Sequence, residues 1–258
     1  MRKIIYLFIL ALIFVSCGNI DKPVRKSSLS NTDYRLFQGT SVWPLAKAAY
    51  INDLAAVNRI LKDNPELANI PDSVYGGTML MLAIERQNYE LFKVLLDNGA
   101  VVNYHDKYND ASPLMAACGR TGGGDLRFAS DLIEHGAFVN DTSSLIGSAM
   151  MMAVSYSTLP FVKLLYKNGA DIYYRNGAGY NAIGFALLSG NYDAVLYLLE
   201  NGADYTQPAI IIRDDNGNII RQRSILETVR NGMPFILSPN YRTKQKIITF
   251  LESKGVEE

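Results

Sequence analysis

The side chains of this chain that could do chemistry are few, and their spacing argues against catalysis. There are two histidines, His105 and His135, and neither has a second His or Cys at the short spacing that a metal site requires. Cys118 falls at the apolar end of a helical run with no cation or His beside it in sequence to lower its thiol pKa. The run Gly119-Arg120-Thr121-Gly122-Gly123-Gly124-Asp125 has two glycines at the spacing of a phosphate cradle. Asp125-Leu126 follows where Lys-Ser/Thr would hold the phosphates, and no strand precedes the glycines. An Asp there repels phosphate and caps a helix well. Carboxylates are scattered along the chain, and no nucleophile, base and orienter can be assembled. We therefore expect no enzyme, no cofactor, no metal and no small-molecule substrate.

Bulk properties agree. Of 258 residues, 48% are hydrophobic, which is enough for an ordinary packed core. Lys plus Arg is 25 and Asp plus Glu is 25, so the basic footprint of a nucleic-acid binder is missing. The first residues are a different material. Met1-Arg2-Lys3 precedes the unbroken apolar run Ile4 to Val15, then Ser16-Cys17. That run is shorter than the roughly 20 residues of a bilayer span and has the flanks of a secretory signal. Its ending in Ser16-Cys17 resembles the lipobox of bacterial lipoprotein signals, with Phe14 where Leu is usual. The resemblance implies a signal peptide over residues 1–16 and lipidation of Cys17. The polar stretch that follows, to about residue 38, reads as a flexible tether, giving segments 1–16, 17–38 and 39–258.

Internal repetition organises the remainder. Leu95-Leu96-Asp97-Asn98-Gly99-Ala100 returns around Gly136-Ala137, Gly169-Ala170 and Gly202-Ala203, with glycines 37, 33 and 33 positions apart. A variant without Gly, Ile60 to Pro65, comes earlier, and Phe250 to Gly255 comes last. In each phrase an apolar pair closes an amphipathic helix, and a glycine in left-handed conformation ends it. A second short apolar helix precedes each phrase, beginning at Pro44, Thr78, Ser112, Ser148, Asn181 and Ser224. Ser, Thr or Asn before such a run is an N-cap. Six phrases imply about six helix–turn–helix units.

Helix, turn, helix, Gly and extended finger at a period of 33 resembles the ankyrin repeat, over roughly Val42 to Val256. The resemblance implies an all-α ankyrin-repeat solenoid that binds a protein through finger tips and inner helices. Met81, Met115 and Met151 stand where the family's Thr-Pro-Leu-His has His, and we read them as core packing. Beyond the repeats, Ile210 to Arg213 and Ile219 to Arg223 flank Asp214-Asp215-Asn216-Gly217-Asn218. Asn-Gly between β-branched runs predicts an inserted β-hairpin near the C-terminus with a tight turn in which both residues have positive φ. Its role is open between shielding the last repeat and touching a partner. A third insertion, Gly232 to Asn240, is placed to cover the open end of the core.

The expected fingers are rich in residues that dominate protein interfaces. These are Tyr75; Tyr104, His105, Lys107 and Tyr108; and Tyr173, Tyr174, Arg175 and Tyr180. The implied role is a membrane-tethered protein-binding module of the bacterial envelope. Toxin immunity and a purely structural envelope role stay open. Gly18 after Cys17, rather than Asp, points to the outer membrane facing the periplasm.

Overall fold

The structure, a computed structural model, describes residues 20–119, 124–156, 158–232 and 239–256. The apolar amino-terminal run and Cys17 lie outside these, as do Arg120 to Gly123 of the glycine run and residues 233–238 of the third insertion. The described residues form a row of helix pairs. They are α1 (Trp43–Tyr50) with α2 (Leu54–Asp63), α3 (Met79–Glu85) with α4 (Tyr89–Asp97), and α5 (Pro113–Cys118) with α6 (Leu126–Glu134). Then come α7 (Ala149–Tyr156) with α8 (Leu159–Lys167), α9 (Ala182–Leu188) with α10 (Tyr192–Glu200), and α11 (Ile225–Asn231) with α12 (Pro239–Ser253). First helices pack on first helices along the row, and second helices on second, so the molecule has two helical layers. One core runs continuously between them. No described helix is long and apolar enough to cross a membrane.

Local chemistry explains why these short helices start and stop where they do. Side-chain oxygens of Thr78, Ser112, Ser148, Asn181 and Ser224 each accept a backbone N–H three residues on, at 2.8–3.5 Å. Asp53, Asn88 and Asn191 do the same for second helices, and Asp125 caps α6 through the N–H of Arg127. Each such cap contributes about 1 kcal/mol. The helices end on Gly99, Gly136, Gly169 and Gly202, with φ of +81°, +85°, +78° and +94°. Met81, Met115 and Met151 are buried, as core packing requires.

Both ends of the row are closed. At the first, Tyr34, Leu36 and Phe37 of a 3-10 turn (Tyr34–Phe37) are buried against α1. The expectation of a flexible tether over residues 17–38 is corrected where the chain is described. The Gln38 amide donates to the carbonyls of Ile20 and Lys22, and Tyr75 and Arg86 donate to those of Leu29 and Thr32. The polar composition hid three large side chains whose burial contributes about 1.5–3 kcal/mol each for the Leu and Phe. At the far end α12 packs on α10 and α11.

The inserted hairpin is present, as β3 (Ile210–Arg213) antiparallel to β4 (Ile219–Arg223). A shorter pair, β1 (Thr142–Ser143) and β2 (Gly147–Ser148), forms the fourth finger. The turn of the long hairpin differs from expectation. Only Gly217 has positive φ in this turn, where the Asp214 carboxylate accepts the N–H groups of Asn216 and Asn218 and the Gly217 N–H donates to the Asp214 carbonyl. A bulge between Ile212 and Arg213 absorbs the difference. The Ile211 N–H donates to the Gly179 carbonyl, and Tyr180 bridges Ile210. Approach is so close that a Cβ on Gly179 would lie 1.6 Å from the Ile211 oxygen, and one on Gly184 2.2 Å from that of Ala209. Three other repeats carry Met where this one carries Gly184, and the close strand explains the substitution.

Gly169→Val and Gly202→Val should each lower unfolding free energy by more than about 1 kcal/mol, read from the denaturant midpoint. Neither position has an atom within 4 Å of an added Cβ, so the loss comes chiefly from backbone strain. Gly184→Ala should instead unseat the hairpin, seen as faster hydrogen exchange at Ile210 and Ile211. Unchanged exchange there would contradict the docking.

Candidate recognition groove

A groove of about 570 Å³ lies between the fingers and the first helices over the second to fourth pairs. Met81 and Leu82 of α3, Met115 and Ala116 of α5, and Met152 and Tyr156 of α7 form its floor. Tyr75, Tyr108 and Ile146 of successive fingers form its wall. Asn31, Leu36 and Phe37 close the end nearest the amino terminus, so the segment expected to be a tether is part of the groove.

Each finger is braced by one side chain. Asp72 accepts N–H groups of Val74, Tyr75 and Gly77, and Asp106 those of Tyr108 and Asn109. The Ser143 hydroxyl accepts from Leu145 and Ile146, and Asn176 from Ala178 and Tyr180. Successive fingers are tied by an asparagine ladder. Asn69 donates to the Gly99 carbonyl at 3.1 Å and accepts the Val101 N–H at 2.7 Å. Asn103 repeats both bonds with Gly136 and Phe138, and Asn140 with Gly169 and Asp171. At the next rung Tyr173 replaces Asn, and its hydroxyl accepts the Asp204 N–H at 2.7 Å.

The expected binding residues divide accordingly. Tyr75 and Tyr108 reach the groove, with ring centroids 5.4 Å apart and planes at 90°. Tyr108 is 62% exposed, whereas the Tyr75 hydroxyl is held by the Leu29 carbonyl at 2.6 Å. Lys107 is exposed but outside the groove, and Tyr104 packs partly against the core. Tyr173 spends its hydroxyl on the ladder, while Tyr174 stays half-buried. Three residues are corrected from free contacts to internal ties. Arg175 donates to the carbonyls of Gly179, Ala209 and Pro208 at the hairpin base, where burial and then Arg213 lower its pKa. Tyr180 pairs with Ile210 and lies edge-on to Phe185. His105 bridges two fingers, with Nδ1 2.9 Å from Asp110 and Nε2 2.6 Å from Asp141.

Sequence reasoning missed Leu145, which is 68% exposed at a finger tip, and Tyr156, exposed at the last turn of α7. The apolar residue ending a first helix was a usable signal for Tyr156; Leu145 gave none. Two further reactive groups lie inside the fold or at a helix end. His135 ends α6 with Nδ1 2.7 Å from the Asp131 carbonyl. Cys118 is fully buried, which pushes its thiol up to about 12. Among the described residues no group of three or more His, Cys, Asp or Glu could hold a metal ion.

A helical repeat solenoid with braced fingers beside an open groove is a recognition scaffold. Family models for ankyrin repeats match residues 45–143 and 150–199. Together they cover more than half of the chain, which belongs to the ankyrin-repeat proteins, a family of protein–protein interaction modules. The crystal structure of EF0377, an ankyrin repeat protein, is similar with a TM-score of 0.61 at 26% identity, over 82% of this chain and 98% of that one. The ankyrin repeat protein FPV034 of Fowlpox virus (strain NVSL) is 28% identical over 160 residues, which is 62% of this chain and 28% of the viral protein. The ankyrin repeat and KH domain-containing protein mask-1 of Caenorhabditis elegans is 32% identical over 93 residues, 36% of this chain and 3% of that protein. The chain thus spans under a third of these curated relatives.

The His105 clamp predicts a pH dependence. Burial opposes the charged imidazole, but the hydrogen bonds it donates to Asp141 and Asp110 outweigh it and raise the pKa above 6.5. The same pairing with His105 lowers Asp110 below 3.8. The histidine's contribution is therefore complete below 6.5 and lost as pH rises through the raised folded value; the carboxylate's is lost as pH falls through its lowered one. Melting temperature should fall from mildly acidic to mildly alkaline pH, and His105→Gln should flatten that slope. An identical slope in the variant would show that the clamp carries no linkage.

Proposed function

We propose that this chain is a lipid-anchored protein-binding module of a bacterial envelope, holding its partner in the groove and on the finger tips. The observation that carries the reading is the aromatic and apolar lining of the groove, with Tyr108 exposed on its wall beside Tyr75 and Ile146, and Tyr156 exposed on its floor. Exposed large side chains gathered at a concave site, on fingers braced from within, fit protein recognition. The lipobox-like ending at Cys17 supports the anchor, and Gly18 supports an outer-membrane address facing the periplasm.

Tyr108→Ala and Tyr156→Ala should each weaken the native partner, the better of them by about 2 kcal/mol or more. Stability should move by about 1 kcal/mol at most, because Tyr108 is 62% and Tyr156 47% exposed. Arg175→Ala should do the reverse, destabilising the hairpin base while sparing affinity. Partner recovered equally well by both tyrosine variants would place the interface elsewhere.

For the anchor, Cys17→Ala should abolish incorporation of labelled palmitate and release the protein from membranes. Equal labelling of the variant would end the lipoprotein reading.

A further inference from the structure

Cys17, the residue to which the proposed function assigns the lipid, stands three positions before Ile20. A trans chain extends at most about 3.6 Å per residue, so these two Cα atoms lie within about 11 Å of each other whatever the path between them. Ile20 already belongs to the folded body. The Gln38 amide donates to the Ile20 carbonyl at 2.6 Å and to that of Lys22 at 3.0 Å, and Lys47 of α1 pairs with Asp21 at 2.6 Å. Further along, Leu29 packs on the core and its carbonyl holds the Tyr75 hydroxyl. An anchor at Cys17 therefore brings the first end of the solenoid to the bilayer surface.

Charge at this end differs from the rest. Residues 20–35 carry four basic side chains and two acidic ones, whereas residues 36–258 carry 19 and 23. Both carboxylates of the segment are paired, Asp33 with Arg35 at 2.7 Å and Asp21 with Lys47. Lys22, Arg25 and Lys26 are left as uncompensated charge. Neither lysine enters a described ion pair, and the described side-chain bond of Arg25 is to the uncharged Ser27 hydroxyl. Lys22 lines a hollow of about 490 Å³ with Ile20, Arg35 and Arg86, where Asp33 is the one carboxylate among the described lining residues. Attraction between basic side chains and anionic headgroups reaches about one Debye length, roughly 10 Å at 0.1 M salt, so it acts on a body held close. The short link to Cys17 holds it close.

We propose that the first end of the solenoid is a lipid-docking surface, with Lys22, Arg25 and Lys26 resting against anionic headgroups of the bilayer that carries the anchor. This rests on the lipoprotein reading. Its consequence is an orientation: the groove has its closed end, at Asn31, Leu36 and Phe37, toward the membrane and its open length away from it.

The test uses the full chain, processed in a bacterium, extracted with detergent and reconstituted into vesicles of phosphatidylcholine alone or with about 30% phosphatidylglycerol. A fluorophore is attached at Ser27→Cys, beside the three cations, or at Asn216→Cys in the turn of the long hairpin; Cys118 is fully buried and does not compete. Nitroxide-headgroup lipids should quench the first label at least about twofold more than the second in the anionic vesicles. Added salt should reduce that quenching toward its value in phosphatidylcholine, and so should Lys22→Gln, Arg25→Gln and Lys26→Gln combined. Quenching at 27 no stronger than at 216, equal in both vesicles, or unmoved by salt and by the triple variant would overturn the proposal. Intact mass separates it from the parent reading. An acylated chain with any of those outcomes sinks the docking surface and leaves the anchor standing. A chain that carries no acyl group and stays out of the vesicles sinks both.

Discussion

The structure depends on how one repeat is joined to the next across solvent-exposed turns. A helix that ends on a left-handed glycine satisfies its last carbonyls, as the Ala100 N–H does for Leu95, but the glycine's own carbonyl has no partner within the helix. In this chain the asparagine of the preceding finger donates to the glycine's carbonyl and accepts an N–H two residues further on, at Asn69, Asn103 and Asn140. Two bonds from one planar amide fix both distance and orientation. Each finger therefore inherits its position from its neighbour, and the groove wall is straight enough to be a surface. Where the rung changes to Tyr173, only the hydroxyl bond remains, and the next stretch of chain is the one that departs furthest from the repeat.

That departure has its own support. The long hairpin docks on the fifth finger through backbone bonds and needs two positions without a side chain, Gly179 and Gly184. Arg175 holds the base by three carbonyls. A guanidinium that seemed available to a partner is thereby consumed internally, and so is His105 between its two carboxylates. Residues of interface-forming type are useful inside a repeat protein for the same reason they serve at interfaces: several donors or acceptors reach across a gap between separate segments. What is left for recognition is narrower and more aromatic, on one wall and one floor.

The second layer of helices performs the opposite duty. Tyr89 donates to Asp131 at 2.7 Å, which raises its pKa to about 12, and the Arg127 guanidinium lies 3.9 Å from the Tyr89 ring centroid. Tyr166 donates to the Asn201 carbonyl and meets Tyr197 edge-on. Tyrosines on this side stitch adjacent pairs, whereas Tyr75 and Tyr108 on the other frame a cavity. The residue type is the same, and the layer decides its use.

How much was legible in sequence follows from how local each signal is. Helix pairs, their caps at Thr78, Ser112, Ser148, Asn181 and Ser224, and left-handed glycines at Gly99, Gly136, Gly169 and Gly202 were determined by the sequence, because each rests on residues within one turn of one another. Burial of Met81, Met115 and Met151 was equally readable, since their position in the repeat recurs. Only the tertiary structure decided the rest. The segment before residue 39 reads as polar, yet Tyr34, Leu36 and Phe37 find an exposed end of core that no local pattern records. The bonds of His105 and Arg175 reach across 36 and 33–34 positions, lengths at which stacking of repeats, and not sequence, sets who meets whom.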